Sequence, residues 1–163
     1  MKKLFLSLLI IFCLIASNVF AVDASELIPI NIDGYTIVTF DDGSVLKISP
    51  IIWSEENFVA YSTEKTISGH KTASFTDSSG NLEWQYTLYA TFSYIEGVSA
   101  TCTNTYYTHN IYASGWSFSD GAATTSGNVA QGLGIFVKKF LFITTKTYNI
   151  DISITCDIYG NVT

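Results

Sequence analysis

From Leu82 to Tyr94, every second residue is apolar or aromatic: Leu82, Trp84, Tyr86, Leu88, Ala90, Phe92 and Tyr94. Between them stand Glu83, Gln85, Thr87, Tyr89, Thr91 and Ser93, which are mostly polar. Side chains on a strand alternate between its two faces, so this stretch predicts a long β-strand with one face in a core. Tyr148, Ile150, Ile152, Ile154 and Cys156 alternate in the same way with Asn149, Asp151, Ser153 and Thr155. No window of similar length carries the 3.6-residue period of an amphipathic helix. Thr, Tyr, Val, Ile and Phe dominate, as half-buried pleated surfaces prefer.

The turns follow from Gly, Asp and Asn. Asp33-Gly34, Asp42-Gly43 and Gly127-Asn128 each separate apolar runs and predict tight hairpin connections. At Glu96-Gly97 a three-residue loop, Ile95-Glu96-Gly97, pairs Tyr94 with Val98, Phe92 with Ala100 and Ala90 with Cys102. That register keeps the apolar set on one face, where a slip by one residue would expose it. It also gives Gly97 the left-handed position. The predicted fold is all-β, an antiparallel β-sandwich of loosely immunoglobulin-like architecture over residues 51–163. An N-terminal β-meander over 22–50, with strands at 27–32, 35–40 and 45–48, is expected to pack on it. Pro50 and Glu55-Glu56-Asn57 read as a connection before Phe58.

The first residues predict export. Lys2 and Lys3 precede an apolar run over 4–16, and Val19-Phe20-Ala21 offers small residues for cleavage after Ala21. The run is short for a bilayer span, which needs about 20 residues. Cys13 lies inside it. Residues 1–21 are therefore expected to be a signal peptide, and the remainder a secreted, extracellular chain. Without Lys2 and Lys3, six lysines face fourteen carboxylates, a net charge of about −8, with no arginine. That balance argues against nucleic acid and against a membrane as partners. No motif for a cofactor or metal stands out. Cys102 and Cys156 remain, and an even count in an exported chain predicts one disulfide.

The spacing of Cys102, Trp116 and Cys156 suits an immunoglobulin domain, but Ile154 stands where that fold places its corner tyrosine. A second set of segments is more extensive. It comprises Ala90-Thr91-Phe92-Ser93-Tyr94, Gly97, Ala100-Thr101-Cys102-Thr103, Ser114-Gly115-Trp116, Ser126-Gly127-Asn128, Lys146-Thr147-Tyr148 and Ile154-Thr155-Cys156-Asp157. Over roughly residues 84–163 these resemble a pattern in small secreted β-rich proteins of clostridia-type Gram-positive bacteria. The resemblance implies a shared fold and export. It implies no activity and no catalytic residues.

Several residues are candidates for chemistry or contact. His70 and His109 are the obvious acid–base groups, but neither has a nucleophile or carboxylate at a triad spacing. Asp41-Asp42 and Glu55-Glu56 are adjacent pairs, which a strand sends to opposite faces rather than toward one substrate. Asp33, Asp41 and Asp42 lack the spacing of a calcium loop. No catalytic residue is assigned. Tyr106, Tyr107, Tyr112 and Trp116 depart from the alternation and could present a sugar-stacking surface. Phe140, Leu141 and Phe142 follow Lys138-Lys139 at an expected hairpin tip, which is normally polar. At least two of these three are expected to be covered, by Leu27, Ile28, Ile30 and Ile32 of the meander or by residues 104–116. The leading functional expectation is a non-catalytic extracellular module that binds a protein or carbohydrate ligand. A small secreted hydrolase and a membrane-active protein using the 129–155 hairpin are the alternatives.

Overall fold

The period-two pattern resolves into ten strands in the computed structural model, which describes residues 29–55 and 63–163. The expected signal peptide, Leu27, Ile28, Glu56, Asn57 and Phe58 lie outside the described residues. The strands are β1 (Ile30–Ile32), β2 (Tyr35–Thr39), β3 (Val45–Ile48), β4 (Ile52–Glu55), β5 (Glu64–Thr76), β6 (Leu82–Ile95), β7 (Ser99–Ile111), β8 (Trp116–Ser126), β9 (Val129–Phe140) and β10 (Ile143–Thr155). All pairings are antiparallel, as short hairpin connections require. A seven-stranded sheet runs β1-β2-β3-β5-β6-β7, with β4 also on β5. A three-stranded sheet runs β10-β9-β8.

The core lies between the two sheets. The large sheet contributes Ile67, Phe75, Trp84, Tyr86, Leu88 and Phe92, and the small sheet contributes Phe136, Ile150, Ile152 and Ile154. Trp84 is stacked between Phe75 and Phe136, with ring centroids 5.1 and 4.0 Å away. Tyr86 reaches across to the small sheet and donates its hydroxyl to the Ala122 carbonyl at 3.2 Å. Its ring lies over β9, where Gly132 and Gly134 leave no room for a side chain: a Cβ on either would stand 2.9 Å from a Tyr86 atom.

Burial pushes the Tyr86 hydroxyl up to about 12, and the Tyr148 hydroxyl in the same direction. The folded state therefore favours neutral tyrosine. This contribution is complete below the ordinary tyrosine value of about 10 and is lost as pH rises from about 10 to 12, by roughly 2–3 kcal/mol for Tyr86. Denaturant midpoints measured across that range should fall, and Tyr86→Phe should flatten the fall.

Four sequence expectations need correction. First, the meander joins the sandwich as an extension of the large sheet and not as a cover for the 140–142 tip: β3 pairs with β5, Phe40, Leu46 and Ile48 pack against the core, and Ile30 and Ile32 are left exposed. Second, the expected connection after Pro50 contains β4. Ser49 donates to Thr72, so β3 and β4 form one broken line along the same edge of β5. Pro50 has no N–H to offer the ladder, and the register shifts by one residue across it. Third, the β6–β7 loop is Glu96-Gly97-Val98. Tyr94 pairs with Ala100 and Phe92 with Cys102, two positions from the expected register. A slip of two preserves the faces, so Cys102 is buried as expected, Gly97 takes φ +71°, and Val98 is left exposed. Fourth, Cys102 and Cys156 are buried free thiols, not a disulfide. Cys102 is on β7 and Cys156 lies just past the end of β10, and each donates to a nearby carbonyl, Cys102 to Asn104 and Cys156 to Asp157, at 3.4 Å. Parity of the cysteine count carries no information on whether the fold joins them.

Candidate functional site

The outer face of the large sheet is built by cross-strand register. Ile52 pairs with His70, His70 with Tyr89, and Tyr89 with Tyr106. The four side chains therefore form one row across β4, β5, β6 and β7. Two residues along, Ser54 pairs with Ser68, Ser68 with Thr91, and Thr91 with Asn104. This second row carries only hydroxyls and one amide. On the other side of the ring row, Thr72 pairs with Thr87 and Thr87 with Thr108.

The rows are held in place by their own contacts. Tyr89 and Tyr106 stack with centroids 4.7 Å apart and ring planes 6° from parallel. His70 tilts against Tyr89 at 5.4 Å. Ser68 and Thr91 share a hydroxyl–hydroxyl bond of 3.0 Å, and Thr72 and Thr87 share another of 3.0 Å. The ring row and the row from Ser54 to Asn104 line an open trough of about 470 Å³. Trp53, opposite Gly69 in the ladder, and Ala90 add to the lining from the intervening positions. Tyr106 is half exposed, so its ring is available at the surface.

Charge is what the trough lacks. The outward positions from Thr66 to Ser74 on β5, from Gln85 to Ser93 on β6, and from Asn104 to Asn110 on β7 hold no Asp, Glu or Lys. The whole chain has a net charge of −6. The trough is therefore an uncharged aromatic and hydroxyl surface on an acidic protein.

The other candidates divide among core, turns and surface. Of the four aromatics singled out in the sequence, only Tyr106 belongs to the trough. Tyr112 lies outside it, exposed, and its hydroxyl donates to Gln85 at 2.8 Å. Tyr107 and Trp116 are core residues instead. The ladder skips Thr103, and this bulge turns Tyr107 inward, where it stacks on Tyr86 at 5.3 Å and donates to the Gly121 carbonyl. Trp116 is buried and donates its indole N–H to Glu83 at 2.7 Å. Phe140, Leu141 and Phe142 are 69, 74 and 99 % exposed, against the expectation that most of them would be covered. Of the residues expected to cover the tip, Leu27 and Ile28 lie outside the described residues, and Ile30 and Ile32 are themselves exposed.

His109 stacks on Phe118 at 3.9 Å, and His70 belongs to the ring row. Neither is hydrogen-bonded to a carboxylate or a hydroxyl among the described residues. Asp33 sits at φ 51° in the β1–β2 turn. Asp42 accepts from Lys146 and Ser44, which hold its carboxyl well below the usual range. Among the described residues, His, Cys, Asp and Glu form no group of three suited to a metal, and none of them forms a helix long and apolar enough to cross a membrane.

Sequence reading missed Glu83 altogether. It falls in the polar phase of β6, but the β5–β6 ladder skips it, and Glu83 and Trp84 are both buried. Its carboxylate accepts from Trp116 and from Lys138, the latter at 3.0 Å. His70, Tyr89, Ser68 and Thr91 were also missed as a group, because only the register places them side by side. No family model, curated protein or solved structure matches the chain.

Proposed function

We propose that the protein is a secreted, non-catalytic binding module that takes an uncharged, hydroxyl-rich ligand, a neutral carbohydrate, in the trough of its large sheet. The observation that carries this reading is the ring row His70–Tyr89–Tyr106 set between rows of hydroxyl and amide side chains, with no Asp, Glu, Lys or Arg lining the trough. A pyranose has C–H faces that lie on aromatic rings and equatorial hydroxyls that need donors and acceptors at its rim. Tyrosine supplies rigid amphipathic contact area at low entropic cost. Ser54, Ser68, Thr91 and Asn104 supply the rim. Four strands about 4.8 Å apart give a row of roughly 14 Å, enough for two or three sugar units. An anionic ligand would find neither an arginine nor a lysine among the residues that line the trough.

The test is retardation in native gels containing neutral polysaccharides such as cellulose derivatives, chitin derivatives or xylan. We expect retardation by at least one of them that is insensitive to salt, because no ion pair takes part. Tyr106→Ala should weaken it by roughly tenfold or more, as removal of a central aromatic anchor does. Tyr112→Ala, outside the trough, should leave it unchanged. Equal retardation of wild type and the Tyr89→Ala/Tyr106→Ala variant would overturn the proposal, as would a lack of binding to every neutral polysaccharide tested.

A further inference from the structure

The β9–β10 hairpin ends in a loop built against its own conformational preferences. Phe140 pairs with Ile143, so Leu141 and Phe142 are the two central residues of the turn. They take φ 46° and 69°. Two positive φ values in succession describe a turn that favours Asn-Gly, because bulky L residues are strained in the left-handed region. The same four residues, Phe140, Leu141, Phe142 and Ile143, are between 69 and 99 % exposed. The tip thus combines backbone strain with unburied apolar surface, and neither feature serves the folded monomer.

The tip also stands clear of its sheet. The last contact of β9 with the chain leading into β8 is the bond from Lys139 N–H to the Gly115 carbonyl. Beyond it the hairpin has no third strand beside it, since β10 is the sheet edge. Two residues of extended chain carry the apex about 7 Å past that point. That reach matches the 5–10 Å depth to which apolar groups of peripheral proteins enter the boundary between headgroups and acyl chains.

Charge around the tip is opposite to that of the protein. From Gly121 to Ile150 the sequence contains no Asp or Glu, and it contains Lys138, Lys139 and Lys146. Two acidic groups from other elements face this collar: Glu83 pairs with Lys138, and Asp42 with Lys146. Lys139 is exposed beside the apolar tip. A cation next to a projecting apolar apex complements the phosphates of a lipid surface above its acyl layer.

We infer that the Phe140–Ile143 tip inserts into the interface of a lipid bilayer and docks the protein there, with Lys139 at headgroup level. The favoured occupant is a bilayer because the tip is convex and exposed at its apex as well as along its flanks. A partner protein would need a deep pocket to cover all four side chains, whereas an acyl layer covers them with no matching shape. The inference does not depend on the trough, which lies on the large sheet.

Co-flotation of the purified protein with phosphatidylcholine vesicles, with and without phosphatidylglycerol, tests this. Wild type should float with vesicles, more so when phosphatidylglycerol is present. Phe140→Ser/Phe142→Ser should reduce the bound fraction roughly tenfold or more, since each side chain would leave an apolar phase. Leu141→Asn/Phe142→Gly supplies the residues that the turn prefers. It should raise the melting temperature while abolishing flotation, which separates loss of contact from loss of fold. Flotation that is the same for wild type and both variants would overturn the inference. So would a wild type that ignores vesicles and instead self-associates in sedimentation, with the variants monomeric.

Discussion

Glu83→Ala should destabilise the protein by about 3–5 kcal/mol, the usual result of removing one partner from a buried charge pair. Glu83 is buried and has two side-chain partners, the Trp116 indole N–H at 2.7 Å and the Lys138 ammonium at 3.0 Å. Deleting the carboxylate leaves the indole N–H without its acceptor and the ammonium without its counter-ion, over the edge of the aromatic core. Lys138 is more than a third exposed, so water takes over part of its solvation. The indole lacks that relief, because Trp116 is only 7 % exposed. Glu83→Gln tests the division of the effect. Its amide oxygen still accepts from Trp116, so it should cost clearly less than alanine. Urea unfolding of the two variants measures both numbers, and equal losses would show that the charge, not the indole bond, carries the effect.

The second large effect is expected at Gly134. An added methyl would stand 2.9 and 3.0 Å from Cδ2 and Cε2 of Tyr86. The ring cannot swing away freely, because it is stacked on Tyr107 and its hydroxyl is bonded to the Ala122 carbonyl. Gly134→Ala should cost about 1–3 kcal/mol as an overpacking change. Tyr86→Ala should cost about 3–5 kcal/mol by opening a cavity. The two substitutions share a contact, so the double variant should be more stable than the sum of the single losses implies. A strictly additive pair would mean that the sheets can move apart at β9, and that ring and glycine are not matched.

The sequence made some parts of this molecule legible for plain physical reasons. β6 and β10 bury one face each, and burial of one face writes a period of two into the residues. The turns at Asp33-Gly34 and Gly127-Asn128 need residues that tolerate positive φ, and φ is 77° at Gly34 and 60° at Gly127. β5 was opaque because its inward positions include Gly69 and Lys71, which break the apolar series. Lys71 reaches the Ser153 carbonyl in the other sheet. The trough could not be read, since His70, Tyr89 and Tyr106 are far apart in the chain and meet only through register. Tyr107 and Glu83 were misjudged because a bulge reverses the parity of a strand, and a bulge leaves little mark in sequence. The hairpin at Phe140–Ile143 was visible, but its exposure depends on what the rest of the fold lays over it.

The break at Pro50 has a consequence for how this face can change. Because the ladder loses one residue there, Ile52 stands opposite His70 and Ser54 opposite Ser68, while Trp53 falls opposite Gly69. If the β3 register ran on without the shift, Trp53 would stand opposite Ser68 and join the polar row as an indole. β4 is a four-residue strand with few bonds to hold it. The missing N–H of one proline therefore acts as a frame marker. Relaxing it would rewrite one side of the trough in a single step and leave every residue of β5, β6 and β7 as it is, which makes position 50 a single point of control over the composition of that surface.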